Sequence, residues 1–325
     1  MIISFQVSVH WKQKAPQLEE TSAKKVTQLK DQTKFIAVSN PIQVKLKKFI
    51  QIIEPIYLTL NKSVRLRRNY RQEKVSDLVI LATMLMRIQL RDPSETHFHQ
   101  MMLVWGISLP ERSRYNRRCR NLLLIMRFIR WQLVRKYSQG STYEILDSAP
   151  MTLASARRSQ AARVLHSQAN KGFNATKETF FYGFKFHIVL NDQGYVMNWE
   201  LTPASTDDRE VVEELLLTTP CTHILADGGY LSNRLKERLL TVYGIRLWTP
   251  VRKNMKQPKE DVSLLKNLRR HIETVFNNLN TVGHFEHLGI RTLKGLGIRI
   301  ESMLLWQTIK VHEQLENGKS GFKIV

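Results

Sequence analysis

The chain reads as an α/β protein: a mixed sheet flanked by helices, preceded by an all-helical basic region. Three observations predict this. From Tyr143 onward the apolar pattern changes from helical to strand-like spacing. Three strands there come before a helix–strand–helix–strand–helix alternation, which builds a mixed sheet. The positive charge lies mostly ahead of the change. Of a formal net charge of +22, residues 1–140 carry +17 (26 basic, 9 acidic) and residues 141–325 carry +5 (24 and 19).

Residues 1–40 are polar and weakly patterned, as in Lys12-Gln-Lys-Ala-Pro-Gln, and predict a loosely ordered basic arm. Residues 41–140 predict a helical region. Ile42, Val44, Leu46, Phe49, Ile50 and Ile53 recur near helical spacing, with lysines between them. Ser76-Asp77 starts a helix over Leu78–Leu90, and Asp92-Pro93-Ser94 breaks it. A helix over Glu95–Trp105 ends at Gly106, and Pro110 opens a long one over Glu111–Tyr137. That last helix holds nine Lys/Arg, among them Arg114, Arg117 and Arg118, which become candidate DNA contacts. A basic region of this density releases counterions from a polyanion. Val75–Trp105 fits a helix-turn-helix, and equally a bundle with a solvated basic face.

The second half predicts strands at Phe180–Leu190 and Tyr195–Leu201, joined by the turn Asn191-Asp-Gln-Gly194. Asp207-Asp208 caps a helix over Arg209–Thr219. A strand at His223–Ala226, a helix at Asn233–Val242 and a strand at Ile245–Val251 follow. Lys253–Glu260 reads as a charged loop, Ser263–Thr281 as a helix, and Thr292–Glu316 as a C-terminal helix. The apolar run Leu78–Met86 stops at Arg87, far short of the roughly 20 residues a membrane span needs. Met1–His10 lacks the marks of a secretory signal, and Cys119 and Cys221 read as reduced thiols. The expected location is the cytoplasm, with the nucleoid.

Three carboxylates stand apart. Asp147 in Leu146-Asp-Ser-Ala-Pro150 and Asp227 in Leu225-Ala-Asp-Gly-Gly229 end apolar runs that read as buried strands, and Glu273 sits in a helical pattern. Oxygen ligands in this setting suit hard divalent cations, and a pair of such ions stabilises both the attacking and the leaving oxygen of an in-line displacement. Each residue also has a local reading. Asp147 can cap a turn at Ser148, Asp227-Gly228 is a turn dipeptide, and Glu273 can pair with Arg269 four residues earlier. The order strand, strand, helix favours the joint reading.

Several collinear pieces carry a family resemblance: Asp147-Ser-Ala-Pro150, Tyr182-Gly-Phe-Lys-Phe-His187, Leu201-Thr-Pro-Ala204, Asp227-Gly-Gly-Tyr230, Thr249-Pro-Val-Arg-Lys-Asn254 and Arg270-His-Ile-Glu-Thr-Val-Phe276. Leu109–Arg118 adds to them upstream. The chain resembles the DDE transposases of bacterial insertion sequences, most closely the insertion sequence 982 group. The resemblance implies a ribonuclease H-like fold, two Mg2+ ions with Mn2+ able to substitute, and Asp147, Asp227 and Glu273 as catalytic metal-binding triad. It implies cleavage at element ends, strand transfer into target DNA, and a homodimer holding two ends. Lys266, Asn280 and Gly228 depart from the pattern, which puts accessory DNA contacts in doubt.

Residues 141–283 are then the expected catalytic domain and 284–325 a C-terminal helical extension. Candidate DNA contacts near the triad are Lys185, Arg252, Lys253, Arg269 and Arg270, with His187 expected to pack and Trp248 read as core rather than as a base-stacking platform. Another metal-dependent nuclease on the same fold, or a non-catalytic DNA-binding descendant, are the alternative readings.

Overall fold

The computed structural model describes residues 40–61, 74–138, 140–155, 157, 162–174, 178–250 and 259–324, with only the backbone over 259–268 and at 287. The arm over residues 1–39 lies outside them, as do Arg252 and Lys253.

Among the described residues five helices come first: α1 (Pro41–Thr59), α2 (Asp77–Gln89), α3 (Glu95–Val104), α4 (Arg112–Asn121) and α5 (Leu123–Tyr137). Their starts follow ordinary capping. Asn40, Ser76 and Ser94 each accept an amide of the first turn, and Glu111 accepts two. The single helix expected over Glu111–Tyr137 is two helices meeting at Leu122. The apolar run from Leu122 to Met126 is too dense for one stripe, and the break lets Tyr115 and Cys119 bury on α4 while Ile129 and Leu133 bury on α5. Both cysteines are free and buried.

The sheet is built from β1 (Glu144–Ser155), β2 (Asn170–Asn174), β3 (Thr179–Asn191), β4 (Val196–Pro203), β5 (His223–Ala226) and β6 (Arg246–Trp248). β3 pairs antiparallel with β1 on one side and with β2 and β4 on the other; β5 and β6 extend β1 in parallel. The short β2 has no alternating apolar pattern to announce it in the sequence. Between β4 and β5 lie a 3-10 turn (Asp208–Val211) and α6 (Val212–Leu216), a shorter helix than expected. α7 (Asn233–Tyr243) joins β5 to β6; α8 (Lys259–Gly283) and α9 (Leu293–Glu316) close the chain. This is a ribonuclease H-like mixed sheet flanked by helices.

Alternation along the strands creates two cores. Leu146, Val189, Ile224 and Leu247 face α6 and α7. Ile145, Phe184, Phe186 and Ile188 face the other way, into a larger core shared with α8, α9 and the N-terminal helices. Gly183 is needed where β3 crosses β1, because a Cβ there would stand 2.1 Å from the carbonyl oxygen of Met151. α9 is buried along most of its length, and its Glu301 is the hub of an ion network. Arg130 and Arg127 of α5 reach Glu301 at 2.8 and 2.9 Å, and the Trp199 indole N–H of β4 donates to it at 2.8 Å. The N-terminal helices are thereby fixed to the sheet through buried charge. No helix among the described residues is long and apolar enough to cross a membrane.

Candidate active site

Register places the first two carboxylates. In the parallel ladder Ile145 pairs with Leu225 and Leu146 with Ala226. The next residues are Asp147, still on β1, and Asp227, the first residue past β5, so the two stand next to each other where the ladder stops. Asp147 is not at a strand end, as its sequence context suggested. β1 runs on to Ser155 because β3 keeps pairing with it as far as Phe181. What ends at Asp147 is the ladder with β5, and this leaves the cleft that open α/β sheets use for their sites.

All three local readings of the carboxylates are realised. The Ser148 amide donates to Asp147 Oδ1 at 2.8 Å, and the Gly229 amide to Asp227 Oδ1 at 2.7 Å. Arg269 Nε donates to Glu273 Oε1 at 3.1 Å. Each bond takes one oxygen. The second oxygen of each carboxylate has no hydrogen-bond partner among the described residues, so local capping and a joint role are compatible. Burial, and next the charge of Asp227, push the Asp147 carboxyl up to about 7; the Ser148 amide and the Arg269 guanidinium pull the other way.

A fourth carboxylate joins them. Asp208, read from sequence only as a helix cap, acts electrostatically on Asp147, and Asp227 acts on it in turn. Its own acidity is weakened by burial first, against the opposing pull of Lys185. A Cβ on Gly229 would lie 2.9 Å from Asp227 Oδ1 and 3.6 Å from Asp208 Oδ2, so the glycine keeps the space between them open. Only the β3–β4 register, which sets Lys185 opposite Thr202 and carries the chain round to Asp208, reveals this neighbour. No local spacing signals it.

Lys185 donates to Asp208 Oδ1 at 2.9 Å and to the Thr206 carbonyl at 2.8 Å, so its charge is turned toward the acidic cluster. His187 packs as expected. It is fully buried, 2.9 Å from Thr202 Oγ1 and 3.4 Å from the Tyr230 hydroxyl, and burial drives its pKa down to about 3. Glu273 and Arg269 are both more than half exposed on α8. Arg270 is exposed beside them. Among the N-terminal candidates, Arg114 and Arg117 are exposed, whereas Arg118 pairs with buried Asp77 at 2.7 Å. α3, the second helix of the possible helix-turn-helix, has no Lys or Arg. Trp248, expected in the core, is 37% exposed on edge strand β6.

Residues 137–293 match the family model described as Transposase DDE domain. The match supports a DDE transposase. It spans every described strand and all four carboxylates, and it leaves out helices α1 to α4, all of α5 but its last residue and all of α9 but its first. No curated protein matches the chain.

Transposases of the DDE type generally depend on a divalent metal. The donors present fit one. They are carboxylate oxygens, three with a free second atom among the described residues, beside a glycine-lined gap and with an Asp147 proton affinity raised by burial and then by the charge of Asp227. As placed here, no group of three His, Cys, Asp or Glu side chains among the described residues is gathered closely enough to hold an ion. Glu273 is turned to Arg269 instead. An exposed i,i+4 pair of this kind is worth about 0.3–0.5 kcal/mol, so little holds Glu273 there.

Proposed function

We propose that the protein is a transposase of the insertion sequence 982 type, which cuts DNA at the ends of its element and joins the freed ends to target DNA. The observation that carries this reading is the side-by-side placement of Asp147 and Asp227 beyond the β1–β5 ladder, inside the segment that matches the DDE domain. Asp147 and Asp227 would hold Mg2+ ions, or Mn2+ in their place, and Glu273 would complete the set after leaving Arg269. Such ions supply Lewis-acid activation of water and neutralise charge on the phosphate.

In the first step a water oxygen attacks the scissile phosphorus and the 3′ oxygen leaves as a hydroxyl. In the second, that 3′-hydroxyl attacks a target phosphodiester, so one P–O bond forms as another breaks. Arg269 and Arg270 lie on the exposed face of α8, where a guanidinium can hold a neighbouring phosphate by two parallel bonds. Arg252 and Lys253, which precede α8 in the sequence, would contribute, and Arg114 and Arg117 would meet the backbone of the terminal inverted repeats. Two copies would bring two ends together.

The test uses a supercoiled plasmid carrying the element ends. Wild-type protein should nick and join in Mg2+, and Asp227→Asn should bind the ends without cutting. Cutting with no joined product would favour a nuclease on the same fold. Cutting by Asp227→Asn would sink the site assignment.

A further inference from the structure

A cleft of about 380 Å3 lies between α2, α4 and the α8–α9 junction, and none of the four carboxylates lines it. Its charge is one-sided. Arg87, Arg120, Arg291 and Arg299 line it, against the single carboxylate of Glu95, which is already bonded by the Asn116 amide. Arg87 is used by the structure, donating to the carbonyls of Asp92 and Pro93 at 3.1 and 2.6 Å. Arg299 is not. It is only 8% exposed, and among the described residues its guanidinium makes one long contact, to the Gly283 carbonyl at 3.5 Å. Among the described residues no carboxylate pairs with it. Asp92, whose charge acts on it, is taken up by His97 at 2.6 Å and by the Ser94 amide at 2.8 Å. Burial, then the charge of Arg87, lowers the Arg299 pKa to about 9.

A buried guanidinium without a counter-charge is costly, and it persists where an anion completes it. A second feature of the same cleft points to the same ligand. The N-terminus of the 24-residue α9 opens onto it, with Thr292 and Gly295 in its lining. Thr292 Oγ1 caps the Gly295 amide at 3.1 Å, and the remaining first-turn amides and the helix dipole favour negative charge there. We propose that this cleft is a phosphate-binding site, with Arg299 as its buried anchor, Arg120 and Arg291 at its sides and the start of α9 completing the cradle. The phosphate comes either from a DNA backbone or from a free phosphorylated molecule. The DNA source rests on the transposase reading and gives the site a use. Gly283, whose carbonyl Arg299 touches, lies ten residues beyond Glu273 on α8, about 15 Å along one rigid helix. A backbone phosphate held there would fix the strand's position relative to the carboxylates.

The experiment uses the full chain and inorganic phosphate, against chloride at matched ionic strength. Phosphate at about ten times its Kd should raise the wild-type Tm by about 2–4 °C. Arg299→Gln should lose that rise, and so should Arg291→Gln, whose exposed position spares the fold. An equal rise in wild type and both variants, or none in wild type, would overturn the site. Binding of a mixed-sequence duplex at graded salt identifies the source. If Arg291→Gln weakens duplex binding and lowers the salt slope by about 1, the ligand is a backbone phosphate. If duplex binding and slope are unchanged while the phosphate response is lost, the ligand is a free phosphorylated molecule. Cleavage is scored separately with Asp227→Asn, so failure of the transposase reading leaves the phosphate result standing.

Discussion

Glu301 and Asp147 are both acids drawn out of water by the same fold, and they are treated in opposite ways. Glu301, fully buried, has two arginines and an indole N–H within 2.9 Å, and the arginine charges outweigh its burial to hold its pKa below the usual value. Asp147 has acids for neighbours, and burial and Asp227 together push its carboxyl up to about 7. The first arrangement is closed. Every charge has a partner inside the protein, and the network locks α5, α9 and β4 together. The second is open, with a charge excess that only something from outside can balance. Unbalanced, perturbed groups in a cleft mark sites of function, while balanced ones mark structure.

The largest contrast is to be expected from neutralising each acid. Asp147→Asn should lower cleavage by at least 10³-fold, because an amide is a poor ligand for a hard cation. In metal-free buffer it should also stabilise the fold by roughly 1–2 kcal/mol, since a repulsive charge is removed. Urea unfolding in EDTA, alongside plasmid cleavage in Mg2+, measures both. Glu301→Gln should do the reverse. It leaves Arg130 and Arg127 without their counter-charge, at a cost of about 3–5 kcal/mol. If both substitutions destabilise alike, the distinction between open and closed acids fails.

How much of this was legible in the sequence follows from how local each cause is. The strand at His223–Ala226 was readable to the residue, because its apolar run is short and bounded by Asp227-Gly228. The C-terminal helix was readable to within one residue because Thr292 is a good cap. The long helix over Glu111–Tyr137 was misread because its break at Leu122 lies inside an unbroken apolar run, where only the direction of packing decides. Asp147 and Asp227 stand out in the sequence by type and context, and the β1–β5 register sets them side by side. Asp208 does not stand out, since its place beside them comes from β3–β4 pairing across intervening chain. Nor does the turning of Lys185 and Arg118 toward inner carboxylates, which alternation and helical spacing cannot distinguish from exposure.

Glu144 lies between the two extremes and gives the comparison a pH axis. It is three residues before Asp147 on β1 but on the other face, fully buried, with the Thr219 hydroxyl donating to one carboxylate oxygen. Burial raises its pKa from 4.5 to about 7. Because the folded value is the higher, its contribution to stability is complete below about pH 4.5 and is lost as pH rises to 7. The unfolded chain gives up its proton first, and the folded chain must follow. A shift of this size corresponds to roughly 3 kcal/mol at most. Glu144→Gln, neutral at every pH, should match wild type in melting near pH 4.5 and exceed it increasingly up to pH 7, with a constant gap above. A gap that does not vary with pH would show that the carboxyl is already ionised in the fold.

The smallest effect is expected where the partners are most exposed. Arg269→Ala removes the only hydrogen-bonded partner of Glu273 among the described residues, yet both side chains are more than half exposed and their attraction is screened. Stability should change by less than about 0.5 kcal/mol. Cleavage carries the information. If Arg269 only restrains Glu273, its loss should leave cleavage unchanged or raise it at low Mg2+, where competition between guanidinium and cation for one carboxylate matters most. If Arg269 also holds a phosphate, cleavage should fall at every Mg2+ concentration, and DNA affinity should fall with it. Titrating Mg2+ against cleavage rate in the two proteins separates these roles, because a competing cation shifts the midpoint and a lost phosphate contact lowers the plateau.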